Sequence, residues 1–214
     1  NKSIKAGDYT EKFSNEELQY QLIRNADEMR NSINQMNSKF LESFQELTQI
    51  KEFNNGQEKI QEILQTHYRN LNVLSENIII SLVDILQISM GAIYLAKTEN
   101  NESYFELIVS YAYNESRYQK RSFKLGESLV GACAAEQRTI HLKKIPENYL
   151  SIMSGLGFSS PKSILIVPLI FESKVLGVIE LGSISDFDEY KIRFSETSST
   201  KIASTISLTQ NDII

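Results

Sequence analysis

Between residues 16 and 50 the apolar positions fall at Leu22, Ala26, Met29, Ile33, Met36 and Phe40, in alternating steps of four and three, and continue at Phe44 and Leu47. The positions between them are mostly polar, so the spacing predicts a helix with a narrow apolar stripe, suited to a partner helix rather than to a broad core. From Phe40 to Phe44 a step of four stands where the heptad alternation would place three. Such a stutter relaxes a left-handed supercoil without breaking the helix. Ser14 and Glu17 stand in the S-x-x-E relation that marks a helix start. The stretch "KEFNNG", with its asparagines and Gly56, predicts a kink or break after Ile50. Ile60, Leu64, His67, Leu71, Leu74, Ile78, Leu82 and Ile85 then line one face of a second long helix ending near Leu86.

Past Met90 the period shortens to that of strands. "GAIYLAK" and "YFELIVSYA", separated by the polar "TENNES", read as a hairpin, and "RYQKRSFKL" as a third, more exposed strand. Residues 126–137, "GESLVGACAAEQ", read as a helix. A short extended piece, "TIHLK", leads to Pro146, a helical turn around residues 149–153 and the loop "GLGFSSP". "SILIVPLIFESKVLGVIELGS" then gives two strands, apolar on both faces and therefore central and covered on each side. Pro168 donates no ladder hydrogen bond and is expected at a bulge or where the strand lacks a neighbour. A last helix is expected from Asp186 toward Gln210, with Ser185 and Asp188 placed to cap it. The order of elements implies an α+β fold with a mainly antiparallel sheet.

Composition narrows the chemistry. The 214 residues are 41% hydrophobic, enough for one core of ordinary size with an appended element. The balance of 22 basic against 27 acidic side chains, with no clustered run of Lys or Arg, argues against a nucleic-acid partner. One cysteine excludes an internal disulfide and a multi-thiolate zinc site, and fits a reducing compartment, so the cytoplasm is expected. No run is long and apolar enough to span a membrane. The chain begins at Asn1 without a signal-peptide pattern and reads as an excised or processed segment.

Nucleophilic and phosphate-binding motifs are poor. "GESLVG" lacks the strand-to-helix elbow of a hydrolase nucleophile, and "GLGFSS" has neither the lysine nor the preceding strand of a phosphate loop. Glu180, the one charge inside the second apolar run of the hairpin, reads either as a ligand contact or, by preference, as a side chain capping a nearby loop. Cys133 lies among small residues and reads as a buried core thiol ahead of a redox or adduct-forming one. His141 lacks a second metal or heme ligand at useful spacing, which favours a hydrogen-bonded surface histidine. His67 sits on an apolar face and is read as a seam residue.

With these residues in place the chain resembles a known family. "YLAKTENNESYFELIVSYAY", "FKLGESLVGACAAEQRTIHLKKIPENYLSIMSGLG" and "ILIVPLIFESKVLGVIELGS" are similar, in order, to successive blocks of a GAF domain of bacterial signalling proteins, such as sensor histidine kinases and chemoreceptor-like proteins, over roughly residues 70–210. The resemblance implies a sheet of about six antiparallel strands, one face covered by the first and last helices. The other face meets the segment of residues 126–161, and small ligands of this family bind between the two. Bilin-binding members set a histidine beside the cysteine, where this chain has alanine after Cys133. The family's methionine sulfoxide reductases rely on several cysteines. Its cyclic-nucleotide binders carry an asparagine-lysine pair that is missing before Phe187, Asp188 and Glu189. "IKAGDYTEKFSNEELQYQLIRNADEMRNSINQM" resembles the linker and second helix of a HAMP signal-transfer module, which implies a first helix and an inner-membrane anchor ahead of residue 1.

The reading is thus a HAMP-like linker and coiled-coil signalling helix over residues 1–55 and a GAF sensor domain over residues 56–214, with no catalytic residue and no metal. The expected partners are a second copy through the seam of Leu22, Ala26, Met29, Ile33, Met36, Phe40, Phe44 and Leu47, a small-molecule ligand, and an output domain in the same chain, such as that of a two-component system. Tyr111, Tyr113, Cys133, His141, Tyr149, Met153 and Phe158 are the candidate pocket, a set that equally describes a filled core. No cofactor is assigned. The alternative is a dimerisation spacer that binds nothing.

Overall fold

The computed structural model describes residues 7–66, 70–99, 102–112, 122–145, 152–154 and 157–212, with side chains for 15–66, 70–99, 102–112, 122–145 and 160–210. In chain order the elements are α1 (Gly7–Gln65), α2 (Leu71–Leu86), β1 (Met90–Glu99), β2 (Glu102–Tyr111), β3 (Ser122–Lys124), α3 (Ser128–Glu136), β4 (Ile140–Leu142), β5 (Ile152–Ser154), β6 (Gly157–Ser159), β7 (Ser163–Phe171), β8 (Lys174–Ser183) and α4 (Glu189–Asp212). The chain divides into two compact units, Asn1–Glu52 and Phe53–Ile214.

In the first unit the described side chains are all exposed. Leu22, Met29, Met36, Phe40, Phe44 and Leu47 are each more than 60% exposed, Ile33 46%. Phe40 and Phe44 stack with centroids 6.5 Å apart, and the ion pairs Arg24–Glu28 and Asp27–Arg30 decorate the surface one turn apart. The helix already runs from Gly7, so Ser14 and Glu17 lie inside it and do not mark its start.

The expected break at residues 51–57 does not occur either, since α1 is helical throughout that stretch. Phe53, Gly56, Gln57 and Ile60 fall at i, i+3, i+4 and i+7, and in the second unit this stripe is buried or half-buried. Tertiary packing on one face outweighs the turn preference of the asparagines on the other. The interruption comes instead before α2, where Asn70 adopts an extended conformation and its side chain accepts from the Asn72 amide at 2.8 Å, a helix N-cap. Leu64 and Leu71 keep helical spacing across the gap, which is why periodicity alone runs the two helices together. His67 lies outside the described residues.

All pairings in the six-stranded sheet are antiparallel, in the order β3-β2-β1-β8-β7-β4, as the sequence leads one to expect. The apolar hairpin β7–β8 is inside it, turning through Glu172 and Ser173, both at positive φ (47° and 64°), the two-residue turn whose twist matches the strands. β4 pairs only with Ile164–Ile166 of β7, so among the described residues no strand pairs with Pro168 on that side, and the register shift at Leu169/Ile170 follows directly. Both provisions accommodate the missing N–H. The expected helical turn at 149–153 is not found in its described part. Ile152–Ser154 and Gly157–Ser159 form a separate two-stranded ribbon, segments too short to carry a period.

The two faces of the sheet hold separate apolar layers. Leu165, Val167, Ile179, Leu181 and Ile93 pack with α2, α4 and the end of α1 through Ile60, Leu74, Ile78, Leu82, Phe194 and Ile202. Met90, Ala92, Tyr94, Phe105, Ile164, Ile166 and Val178 pack with Val130, Cys133 and Ala134 of α3. α3 sits close because Gly131 has no Cβ, which would overlap the Lys124 carbonyl; the Gly126 amide donates to the Gly131 carbonyl at 2.9 Å.

Candidate functional site

On the α3 face a polar pair stands inside the apolar layer. Glu180 pairs with Ala92 on one side and Ile166 on the other, and is 2% exposed. Tyr94, 1% exposed, pairs with Val178 two residues along β8, and its hydroxyl donates to Glu180 Oε2 at 3.2 Å. The strand register thus brings the phenol to the carboxylate diagonally across the ladder. Phe123 of β3 covers the Tyr94 ring edge-on at 5.8 Å. Glu180 therefore faces the sheet-to-α3 layer. Its visible partner is Tyr94, which sequence reasoning did not single out; an isolated acid and a tyrosine at alternating positions of neighbouring strands were the available signal. A buried carboxylate is held by donors, and the Tyr94 hydroxyl is one of them here.

Cys133 lies in the same layer, fully buried, its thiol directed at the carbonyls of Arg138 (3.3 Å) and Ile166 (3.7 Å). Burial first, and Glu136 second, push the thiol up to about 12. It is a packed side chain and not a nucleophile at neutral pH.

His141 is on the opposite face. It pairs with Leu165, and its ring meets Phe187 edge-on at 6.0 Å. Its Nε2 lies 3.1 Å from both Ser163 Oγ and Asp186 Oδ1, while Ser163 Oγ donates to the same Asp186 oxygen at 3.2 Å. Lys143 approaches Asp186 Oδ2 at 3.4 Å, and the Phe187 amide donates to Oδ1 at 3.0 Å. Partial desolvation pushes Asp186 up, but Lys143, Ser163 and His141 together outweigh it and hold the carboxyl below its ordinary value. Serine, histidine and aspartate meet here without the geometry of a nucleophilic triad, because one imidazole nitrogen serves both partners. His141, Lys143, Asp186 and Phe187 border a groove of about 580 Å³ with Asp188, Ile192, Arg193 and Glu196. Asp188 caps α4, accepting from the Lys191 amide at 2.8 Å, whereas Ser185 turns back to Ser183 Oγ.

Tyr111 is also on the helical face. It pairs with Gly91 and, 42% exposed, borders a second groove of about 540 Å³ with Ile80, Asp84 and Gln87. Met153 and Phe158 are register partners in the β5–β6 ribbon. Tyr113 and Tyr149 lie outside the described residues. Of the seven candidates, then, Cys133 is in the α3 layer, Tyr111 and His141 are on the far side of the sheet, and the pair Met153–Phe158 is in the ribbon. Among the described residues no group of three or more His, Cys, Asp or Glu is placed to hold a metal ion.

A family model described as GAF domain matches residues 69–207. Comparison with curated proteins gives no match. Among solved structures the chain is similar to the GAF domain from a phosphoenolpyruvate-protein phosphotransferase of Coxiella burnetii, at 17% identity and a TM-score of 0.60 over 78% of this chain and 96% of that one. The corresponding GAF domain from Acinetobacter gives 21% identity and a TM-score of 0.60, covering 77% of this chain and 95% of that one. The free methionine-R-sulfoxide reductase from Neisseria meningitidis in complex with its substrate gives 14% identity and a TM-score of 0.57, covering 73% and 91%. At these identities the likeness is one of fold.

Proposed function

This chain belongs to the GAF domain family, and from that membership we propose that it is the sensory and signal-transmission region of a multidomain bacterial signalling protein. In this reading a HAMP-like segment feeds a parallel coiled coil of two copies, the GAF domain takes a small ligand on its α3 face or relays a conformational change, and α4 leads to an output module. The observation that carries it is α1, a 59-residue helix whose residues 15–52 are wholly exposed. Single helices are stabilised chiefly by packing of an apolar face, and a second copy of the same stripe is the partner that heptad spacing selects. None of the described helices is long and apolar enough to cross a membrane.

For the ligand, support comes from Tyr94 and Glu180, a hydrogen-bonding pair beside the apolar side chains of the layer that α3 covers. That arrangement suits a small molecule with a donor group directed at the carboxylate. Thiol chemistry of the reductase kind finds little support in one deeply buried cysteine. The spacer alternative rests on the filling of that layer, where Met90, Tyr94, Ile164 and Ile166 are 1% exposed or less. Native mass spectrometry of protein purified from its own source, followed by denaturation, tests the reading. Dimer mass with a small adduct released on denaturation is the expected result. Dimer mass without adduct, unchanged on adding metabolite extract, moves the domain to the spacer, and a monomer at micromolar concentration overturns the coiled-coil relay.

A further inference from the structure

Where α1 enters the second unit it lies against α4, and the two helices meet through one buried amide. Gln57 is 7% exposed. Its Nε2 donates to Ser198 Oγ at 2.9 Å, with a longer contact to the Phe194 carbonyl at 3.5 Å, and its Oε1 accepts from Lys201 Nζ at 3.0 Å. Phe194, Ser198 and Lys201 are spaced i, i+4 and i+7, one stripe of α4. One turn earlier, Phe53 meets Tyr190 and Phe194 edge-on at 6.0 and 5.4 Å, beneath the Arg193 guanidinium at 5.5 Å. Contacts therefore advance in the same direction along both helices, which run parallel. Gly56 makes the approach close: a Cβ there would stand 2.7 Å from the Phe194 ring and 3.0 Å from Ile85.

A polar group inside an apolar helix contact specifies register at some cost in stability. Sliding α1 by one turn would carry the amide past Ser198 toward the fully buried Ile202, leaving both its ends without partners in the core. We propose that Gln57 is the positioning residue that locks α1 to α4 in a single register, so that a displacement arriving along α1 leaves along α4 directly, without crossing the sheet. The relay is the reading this rests on, but the register itself is a property of one chain and is measured independently of dimerisation or ligand.

The test uses the whole chain with cysteines at Glu58 and Thr200, both exposed, spin-labelled and diluted in unlabelled protein; Cys133 is too buried to compete. With Gln57 in place, the dipolar distance distribution is expected to be narrow and single. Gln57→Leu keeps the volume and removes the hydrogen bonds, and should stay folded while giving a broadened distribution or a second distance shifted by about 5 Å, one helical turn. Gln57→Glu, which still accepts from Ser198 and Lys201, should restore the narrow peak. A narrow, unshifted distribution in folded Gln57→Leu overturns the proposal. Should that variant fail to fold, the double variant Ser198→Ala with Lys201→Met removes the partners from α4 and must broaden the distribution; an unchanged peak there overturns it equally. Failure of the mass measurement above to find a dimer or adduct leaves this result standing, and the reverse also holds.

Discussion

Cys133 shows how far one residue's environment decides its chemistry. With its thiol pushed up to about 12, the thiolate fraction in the folded protein at pH 8 is on the order of one in ten thousand, against roughly one in ten for a thiol at its ordinary value of 9.0. Iodoacetamide at pH 8 should therefore leave the folded chain unmodified for hours and modify it within minutes once guanidinium unfolds it, as read by intact mass. Modification at equal rates in both states would remove the case for a buried thiol. The single cysteine among small residues made this role legible in the sequence. Tyr94 was not legible: a tyrosine in an alternating strand looks the same whether its hydroxyl meets water or a carboxylate two residues along a neighbouring strand.

At the scale of elements, the segment leading into α4 is tied to the sheet by Asp186, which gathers Ser163, His141, Lys143 and the Phe187 amide onto one carboxylate. Because its folded value is lowered, its ionised form is favoured by folding, so the stabilisation is present above the unfolded value, 3.8, and is lost as pH falls through the folded value. Asp186→Asn should accordingly lower the melting temperature at pH 7, and the gap to the parent should shrink as the pH is taken below 3.8. A gap that stays constant to pH 2 would assign the loss to packing instead. Strands and their order were readable because hairpins and two-sided apolar runs leave plain patterns. The continuity of α1 was not, because the contacts of Phe53 and Gln57 that override "KEFNNG" come from α4, over a hundred residues later. Likewise the split of Tyr111 and His141 from Cys133 depends on strand register, which local pattern does not specify.

For the molecule as a whole, the proposed association rests on the seam of α1. Ile33→Asp with Met36→Asp places charges in the middle of the stripe, and should convert the proposed dimer to monomer in light scattering and abolish the dependence of melting temperature on concentration. The domain of Phe53–Ile214 carries its own two apolar layers and should keep its near-ultraviolet signal. Retention of dimer mass would place the contact elsewhere on the chain.

The register shift between β1 and β2 at Ile93/Tyr94 has a consequence for reading relatives of this chain. Phe105 and Leu107 pair with Ala96 and Tyr94 on the α3 side, while Val109 and Tyr111 pair with Ile93 and Gly91 on the helical side, so Ile108 is the extra residue at which the strand changes the layer it serves. A homologue lacking that residue needs a one-position gap there in any alignment. Without the gap, every downstream side chain of β2 would be matched to one on the wrong face, and residues of the helical layer would be compared with residues of the α3 layer.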